Sequence, residues 1–259
     1  MTNIFRLTVI LGTERVVEKE LLAKFPEAEI VSRSKGKIDF QVGGKEISDF
    51  SILLSPVRIQ DTNHGDIDLF KREWRRAFVP AGINPSLAYV LCDLANLSDS
   101  DVVLDPFCGG STIPITAMKY FGVKKAFASD ISGKAIDISL ENWAASGTKK
   151  ERYVLFRSNV STLKLQPKSI SRVVTNMPFG IRVGTHEMNE KLYRNFAFML
   201  NRLLTDDGVA IVLTQEKELI TKVMNDSFEM EVVMTPEVGG LRPDVYKIIK
   251  KNAKGIPNI

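Results

Sequence analysis

The stretch Val102-Val103-Leu104-Asp105-Pro106-Phe107-Cys108-Gly109-Gly110-Ser111-Thr112 limits the possible folds more than any other part of this 259-residue chain. Three branched apolar residues follow the polar turn Ser98 to Asp101, the pattern of a short strand buried on both faces. Asp105 ends the apolar run. Gly109 and Gly110 then permit a sharp turn and the close approach of a ligand to bare backbone. Thr112 stands where a cap would open the helix running through Ile115, Met118 and Lys119. Strand, glycine turn and helix in that order predict one βα step of an α/β fold.

A second acid follows at a meaningful distance. Ala126 to Ser129 reads as another buried strand, and Asp130 lies about 20 residues past Gly109, where a nucleotide-binding βαβ unit places the acid that accepts from ribose hydroxyls. The glycines do not follow G-x-G-x-x-G, and Asp105 precedes them. A carboxylate there would repel a pyrophosphate and suits a ligand with a cationic amino-acid end. S-adenosylmethionine, with its ammonium, sulfonium and ribose, meets these demands. Asp105, Phe107, Cys108, Gly109, Gly110, Thr112, Asp130 and Ile131 are the cofactor-binding candidates. The competing reading is a plain βαβ turn with a helix-capping acid.

Arg172 to Thr175 reads as a strand that delivers Asn176-Met177-Pro178-Phe179 to the same carboxyl-terminal rim. An amide oxygen, a backbone carbonyl and an aromatic face, held by proline, form a receptor for a planar base bearing an amine. Asn176 Oδ1 and the Met177 carbonyl would accept the amine's two hydrogens and favour positive charge on its nitrogen. Phe179 would stack on a base that is flipped or already unpaired. Asn176, Met177, Pro178 and Phe179 are therefore the catalytic candidates, and no metal is required.

DPFCGGST followed by NMPFGIRVGTHEMNEKLY resembles the catalytic domain of the THUMP-associated guanine-N2 methyltransferases of tRNA and rRNA, over roughly Phe78 to Lys250. The resemblance implies a Rossmann-like class I methyltransferase domain. Its sheet would be mostly parallel and seven-stranded, closed by one antiparallel strand. It implies that Asn84, Pro85 and Ser86 lie over the methionine end of the cofactor, and that Asn159 and Val160 follow strand three beside the adenine. The family usually has aspartate at the position of Asn159; asparagine keeps an acceptor oxygen and loses the charge. Ser111 stands where the family commonly has glycine. If that position requires a positive φ, serine there costs about 1 kcal/mol or more.

Residues 1–60 predict a small α+β domain. A strand from Phe5 to Leu11 precedes a helix with Val17, Leu21 and Phe25 on one face, a hairpin around Lys35-Gly36, and a second helix through Ile47, Phe50 and Leu54. This order resembles the ferredoxin-like segment that precedes THUMP in the family. A full THUMP domain needs about a hundred more residues, so the expectation is a shortened N-terminal region, its grip on RNA supplied by a partner protein or by self-association. Residues 61–77 read as a linker and basic segment, and 78–259 as the methyltransferase domain.

Lys71-Arg72-Glu73-Trp74-Arg75-Arg76 is the densest basic cluster. Two readings are open: Arg72, Arg75 and Arg76 bind RNA phosphates while Trp74 stacks on a base, or the segment is a solvated face with Trp74 packed inward. Arg182 is a further phosphate-contacting candidate. A net charge of +4 is compatible with nucleic acid. The chain has no apolar run long enough for a bilayer and no signal-peptide pattern. Its two cysteines cannot build a disulfide framework or a zinc site. These features predict a soluble protein of the reducing cytoplasm without membrane or metal partners. The rival functions are a DNA or protein-glutamine amino-methyltransferase and a non-catalytic RNA-binding scaffold.

Overall fold

A computed structural model describes residues 2–61, 65–80, 82–178 and 186–251. The N-terminal part contains β1 (Thr2–Thr8), α1 (Glu14–Lys24), β2 (Glu29–Ser34), β3 (Lys37–Gly43), β4 (Arg58–Asp61) and β5 (Gly65–Asp68). The strands form an antiparallel sheet in the order β2-β3-β1-β4-β5. Along β3, Ile38, Phe40 and Val42 are buried and alternate with more exposed polar residues, so one face of the sheet is apolar. That face packs against Val17 and Leu21 of α1, with Phe5, Phe40 and Phe50 in mutual ring contact.

Two expectations are corrected here. Ile47–Ile52 forms a 3-10 helix in place of a second α-helix; Phe50 alone of that segment is fully buried. The segment from Asp61, expected as a linker, instead begins within a hairpin, where Ile59 pairs with Ile67 and Arg58 bridges Asp66 at 2.8 Å and Asp68 at 2.9 Å. Its strands are too short and too charged to show an alternating pattern in the sequence. The order β2-β3-β1-β4, with α1 crossing from β1 to β2, is the ferredoxin-like split βαβ arrangement, extended by β5 at one edge.

The larger part runs through α2 (Pro85–Leu94), β6 (Val102–Asp105), α3 (Thr112–Tyr120), β7 (Lys125–Asp130), α4 (Gly133–Ser146), β8 (Tyr153–Arg157), β9 (Ile170–Asn176), α5 (His186–Leu203), β10 (Leu204–Thr214), α6 (Lys217–Met224), β11 (Phe228–Met234) and β12 (Asp244–Lys250). Its seven strands lie in the order β11-β12-β10-β9-β6-β7-β8. β8, β7, β6, β9 and β10 are parallel, and β12 runs antiparallel to both β10 and β11. Successive residues feed opposite faces. Val103, Val174 and Ile211 join the core under α2 and α3, while Leu104, Val173 and Val212 join the core under α5 and α6. This is the mostly parallel seven-stranded sheet expected of a class I methyltransferase domain.

The two parts are stitched together at several points. Glu237 N donates to Leu11 O at 3.0 Å, and Ser86 Oγ donates to Pro56 O at 2.8 Å. Gly12 lies at the tightest approach. Its φ is +88°, and a Cβ there would come within 2.6 Å of Thr235 O. Gly12→Ala is expected to destabilise the protein by about 1–3 kcal/mol, from left-handed strain together with a backbone clash. Thermal or urea unfolding measures this.

Candidate functional site

The strand order sets the ends of β9, β6, β7 and β8 side by side. The chain travels outward from β6 through β7 to β8 and then returns to the other side of β6 as β9. That reversal opens a crevice between β6 and β9, where open α/β sheets bind ligands. Asp105 ends β6, Asp130 ends β7 and Asn176 ends β9, so the three residues singled out in the sequence meet at one rim.

Asp105 is 1% exposed. Its Oδ1 accepts from Thr175 Oγ1 at 2.7 Å and from Phe107 N at 3.1 Å. Burial pushes its carboxyl up to about 7, with the Asp130 charge adding to the rise and the two hydrogen bonds opposing it. Asp130 is half-buried. One of its oxygens accepts from Gly109 N at 3.0 Å and the other from Ser132 N at 2.9 Å. Each oxygen keeps a further lone pair, enough for a pair of hydroxyls.

The glycine loop is held from three sides. Cys108 N donates to Ser129 O at 2.9 Å, which ties the loop to β7. Gly109 takes φ +51°. Asn142 of α4, fully buried, donates to Gly110 O at 2.9 Å and Ala77 O at 3.1 Å and accepts from Ala77 N at 3.0 Å. It thereby clasps the segment before α2 onto the loop. Ser111 does occupy a left-handed position, at φ 60° and ψ 28°, and its hydroxyl is paired with that of Ser139. Ser111 is also the N-cap residue of α3, without a side-chain capping bond, and Thr112 is the first helical residue; the capping role expected of Thr112 is corrected.

Other expected cofactor residues divide between the rim and the core. Asn84 caps α2 through Ser86 N at 2.8 Å. Pro85 and Ser86 are buried, and the Ser86 hydroxyl is given to Pro56, at the junction with the N-terminal sheet. The Phe107 ring packs on Phe196, and Cys108 and Val160 are buried in the interior. Ile131 is 65% exposed beside Asp130. Asn159 Oδ1 already accepts from Ser161 N and Ser161 Oγ, both at 3.0 Å, in a tight turn. These bonds fix the turn that follows β8, at the same rim as Asp130.

The basic cluster also divides. Trp74 is 3% exposed and donates to Tyr120 Oη at 3.2 Å, so it packs inward and cannot stack on a base. The Arg72 guanidinium donates to the carbonyls of Leu54, Leu69 and Lys71. Arg75 donates to Ile83 O at 3.2 Å and covers the Phe78 ring at 4.7 Å. Arg72 and Arg75 hold the segment, and Arg76 is left as its exposed arginine. Phe179 and Arg182 lie outside the described residues.

At the far end of the crevice, Met177 N donates to Leu213 O at 3.0 Å and the Met177 side chain is buried, while Pro178 is exposed. Asn176 Oδ1 is buried and accepts no hydrogen bond. An unpaired buried acceptor costs about 1–3 kcal/mol, so it calls for an explanation. No local pattern signals Thr175, Asn142 or the Ser111–Ser139 pair, because each acts through a tertiary partner and sits in an ordinary strand or helix pattern. Two carboxylates beside glycine backbone, with an exposed aliphatic neighbour, fit a ligand carrying a cationic group and a ribose.

The Asp105 carboxyl gives a pH signature. Its folded value of about 7 exceeds the unfolded 3.8, so the native state holds a proton that the unfolded chain has released. Stability is therefore lost as pH rises from about 4 to about 7, by about 4 kcal/mol at 1.36 kcal/mol per unit. Asp105→Asn is expected to raise the melting temperature of the ligand-free protein at pH 8, with the gain vanishing toward pH 4; melts across that range measure it.

Comparison with known proteins places the chain in a family. Residues 72–244 match the UPF0020 family model, an RMKL-like methyltransferase domain. A mouse tRNA (guanine(6)-N(2))-methyltransferase, THUMP3, is 29% identical over 191 residues, covering 68% of this chain and 38% of that protein. The tRNA (guanine(6)-N2)-methyltransferase of Thermus thermophilus is 28% identical over 180 residues, covering 69% of this chain and 53% of that protein. The chain thus spans about half or less of the length of these relatives. The crystal structure of TrmN from Thermus thermophilus superposes with a TM-score of 0.82 at 19% identity, over 96% of this chain and 100% of that one.

Proposed function

This chain belongs to the UPF0020 family of RMKL-like methyltransferase domains, and on that premise we propose that it methylates the exocyclic amine of a guanine in tRNA, with S-adenosylmethionine as donor. The observation that carries this reading is the unpartnered Asn176 Oδ1 at the same rim as Asp105 and Asp130. An acceptor left open there suits an amine hydrogen. The acids suit the cofactor.

When bound, the cofactor supplies a methyl group on a positively charged sulfur. Every other element belongs to the chain. Asp130 accepts from ribose hydroxyls with the lone pairs that Gly109 and Ser132 leave free. The Asp105 carboxylate faces the cationic end, and a cation nearby restores its charge. The loop backbone, fixed by Asn142, keeps the ligand in one orientation, which is a large part of the acceleration available to an already activated methyl donor. Asn176 Oδ1 and the Met177 carbonyl accept the two amine hydrogens and stabilise the positive charge that grows on the nitrogen. Pro178 fixes φ at the turn, and Phe179 is the candidate stacking face. Arg76 and Arg182 are the proposed phosphate contacts. A cytoplasmic location suits two free, buried thiols, Cys92 and Cys108.

The decisive experiment incubates unmodified tRNA, duplex DNA and protein with labelled cofactor and identifies the product nucleoside by mass. N2-methylguanosine from tRNA is the expected product. Label only in DNA or in glutamine selects the other amino-methyltransferase reading, and no heat on titration with S-adenosylmethionine selects the scaffold. Asn176→Ala is expected to lower turnover at least about tenfold with cofactor affinity unchanged, whereas Asp130→Ala is expected to weaken cofactor binding in calorimetry. Arg76→Ala is expected to weaken RNA binding and to flatten its salt dependence.

A further inference from the structure

Six buried side-chain polar atoms among the described residues have no hydrogen-bond partner, and two of them are carboxamide oxygens, Asn176 Oδ1 and Gln215 Oε1. These two end neighbouring parallel strands. Asn176 is the last residue of β9, and it stands opposite Leu213 of β10. Gln215 comes two residues after Leu213, directly past the end of β10 and before α6. Both therefore lie at the carboxyl-terminal rim, on strands in direct register.

The chain around Gln215 is well anchored. Thr214 Oγ1 shares a hydrogen bond of 2.5 Å with Tyr193 Oη and accepts from Glu216 N at 3.0 Å. Lys217 N donates to Gln215 O at 2.9 Å. Glu216 in turn accepts from Asn189 Nδ2 at 3.4 Å. Residues on both sides of Gln215 are thus fixed by α5 and by the start of α6, while its own amide oxygen is left open. A carboxamide oxygen can only accept. Two open acceptors on adjacent strand ends call for a ligand that brings two N–H groups side by side.

The geometry points to Gln215 as a specificity-determining residue that accepts from the ring N1–H of the target guanine while Asn176 takes the exocyclic amine beside it. The inference rests on the guanine reading above and adds the basis of its selectivity. Guanine carries N1–H and the 2-amine on one edge, which a flipped base presents to its pocket. Adenine carries no N–H at its ring N1, so it would leave the Gln215 oxygen unpaired. Sites built to bond a substrate N–H reject analogues that lack it far more strongly than apolar pockets reject a missing methyl.

The test uses the full chain and a tRNA whose methyl-accepting guanosine has first been located from the wild-type product. That nucleotide is then replaced by 2-aminopurine, which keeps the 2-amine and lacks N1–H. The wild-type protein is expected to prefer guanosine at least about tenfold in kcat/KM. Gln215→Leu is expected to remove most of this preference, and Gln215→Glu, which keeps an acceptor, to restore it. Cofactor affinity by calorimetry is expected to stay constant in both variants, which separates a recognition defect from misfolding. Equal use of the two bases by the wild type, or an intact preference in a folded Gln215→Leu, overturns the inference. Absence of any methylated guanosine with wild-type protein overturns the guanine reading itself, independently of Gln215.

Discussion

A single hydrogen bond, from Thr175 Oγ1 to the buried carboxyl of Asp105 at 2.7 Å, spans the gap between the two strands at which the sheet reverses its winding. It adds to the backbone ladder that pairs Val103 and Leu104 of β6 with Arg172 and Val173 of β9. It ties the end of β9 to the end of β6, beside which Asn176 follows. It also accounts for how a carboxyl can be removed from water at this place. One oxygen is satisfied by Thr175 and Phe107, and burial raises the carboxyl toward neutrality.

Around this link the loops are pinned by backbone bonds. Gly109 is held to Asp130, Cys108 to Ser129, and Gly110 to Asn142. Asn142 reaches the segment before α2 with the same side chain, so a residue in the middle of α4 sets the relation between the glycine loop and the strap that crosses it. Ser111 shows the cost of such a loop. It is held in a left-handed conformation that glycine would adopt without strain, and its hydroxyl finds a partner in Ser139.

The parts of this arrangement that the sequence makes legible depend on local pattern. The short apolar strands before Asp105, Asp130 and Asn176 and the glycine turn are local signals, and they sufficed for the parallel sheet and for the three residues at its rim. The basic cluster shows the limit. Charge and aromaticity in Lys71 to Arg76 fit an RNA-binding surface and a packed strap equally well, and only the tertiary partners Tyr120, Leu54 and Ile83 separate Arg72, Trp74 and Arg75 from Arg76. The hairpin at Arg58 to Asp68 is hidden in the sequence because its four-residue strands are too short and too charged to show an alternating apolar pattern. Thr175, Asn142 and Gln215 were hidden because nothing in a linear pattern marks which side chain finds, or lacks, a partner.

The seam between the two sheets has a thermodynamic consequence. Leu11 O is bonded from the loop after β11, Pro56 O from the first turn of α2, and Lys19 of α1 is paired with Asp93 of α2 at 2.9 Å. Val16 of α1 is counted in the apolar interior of the larger part. Opening either part alone would strip these partners from the other, so the seam ties the stability of the small sheet to that of the large one.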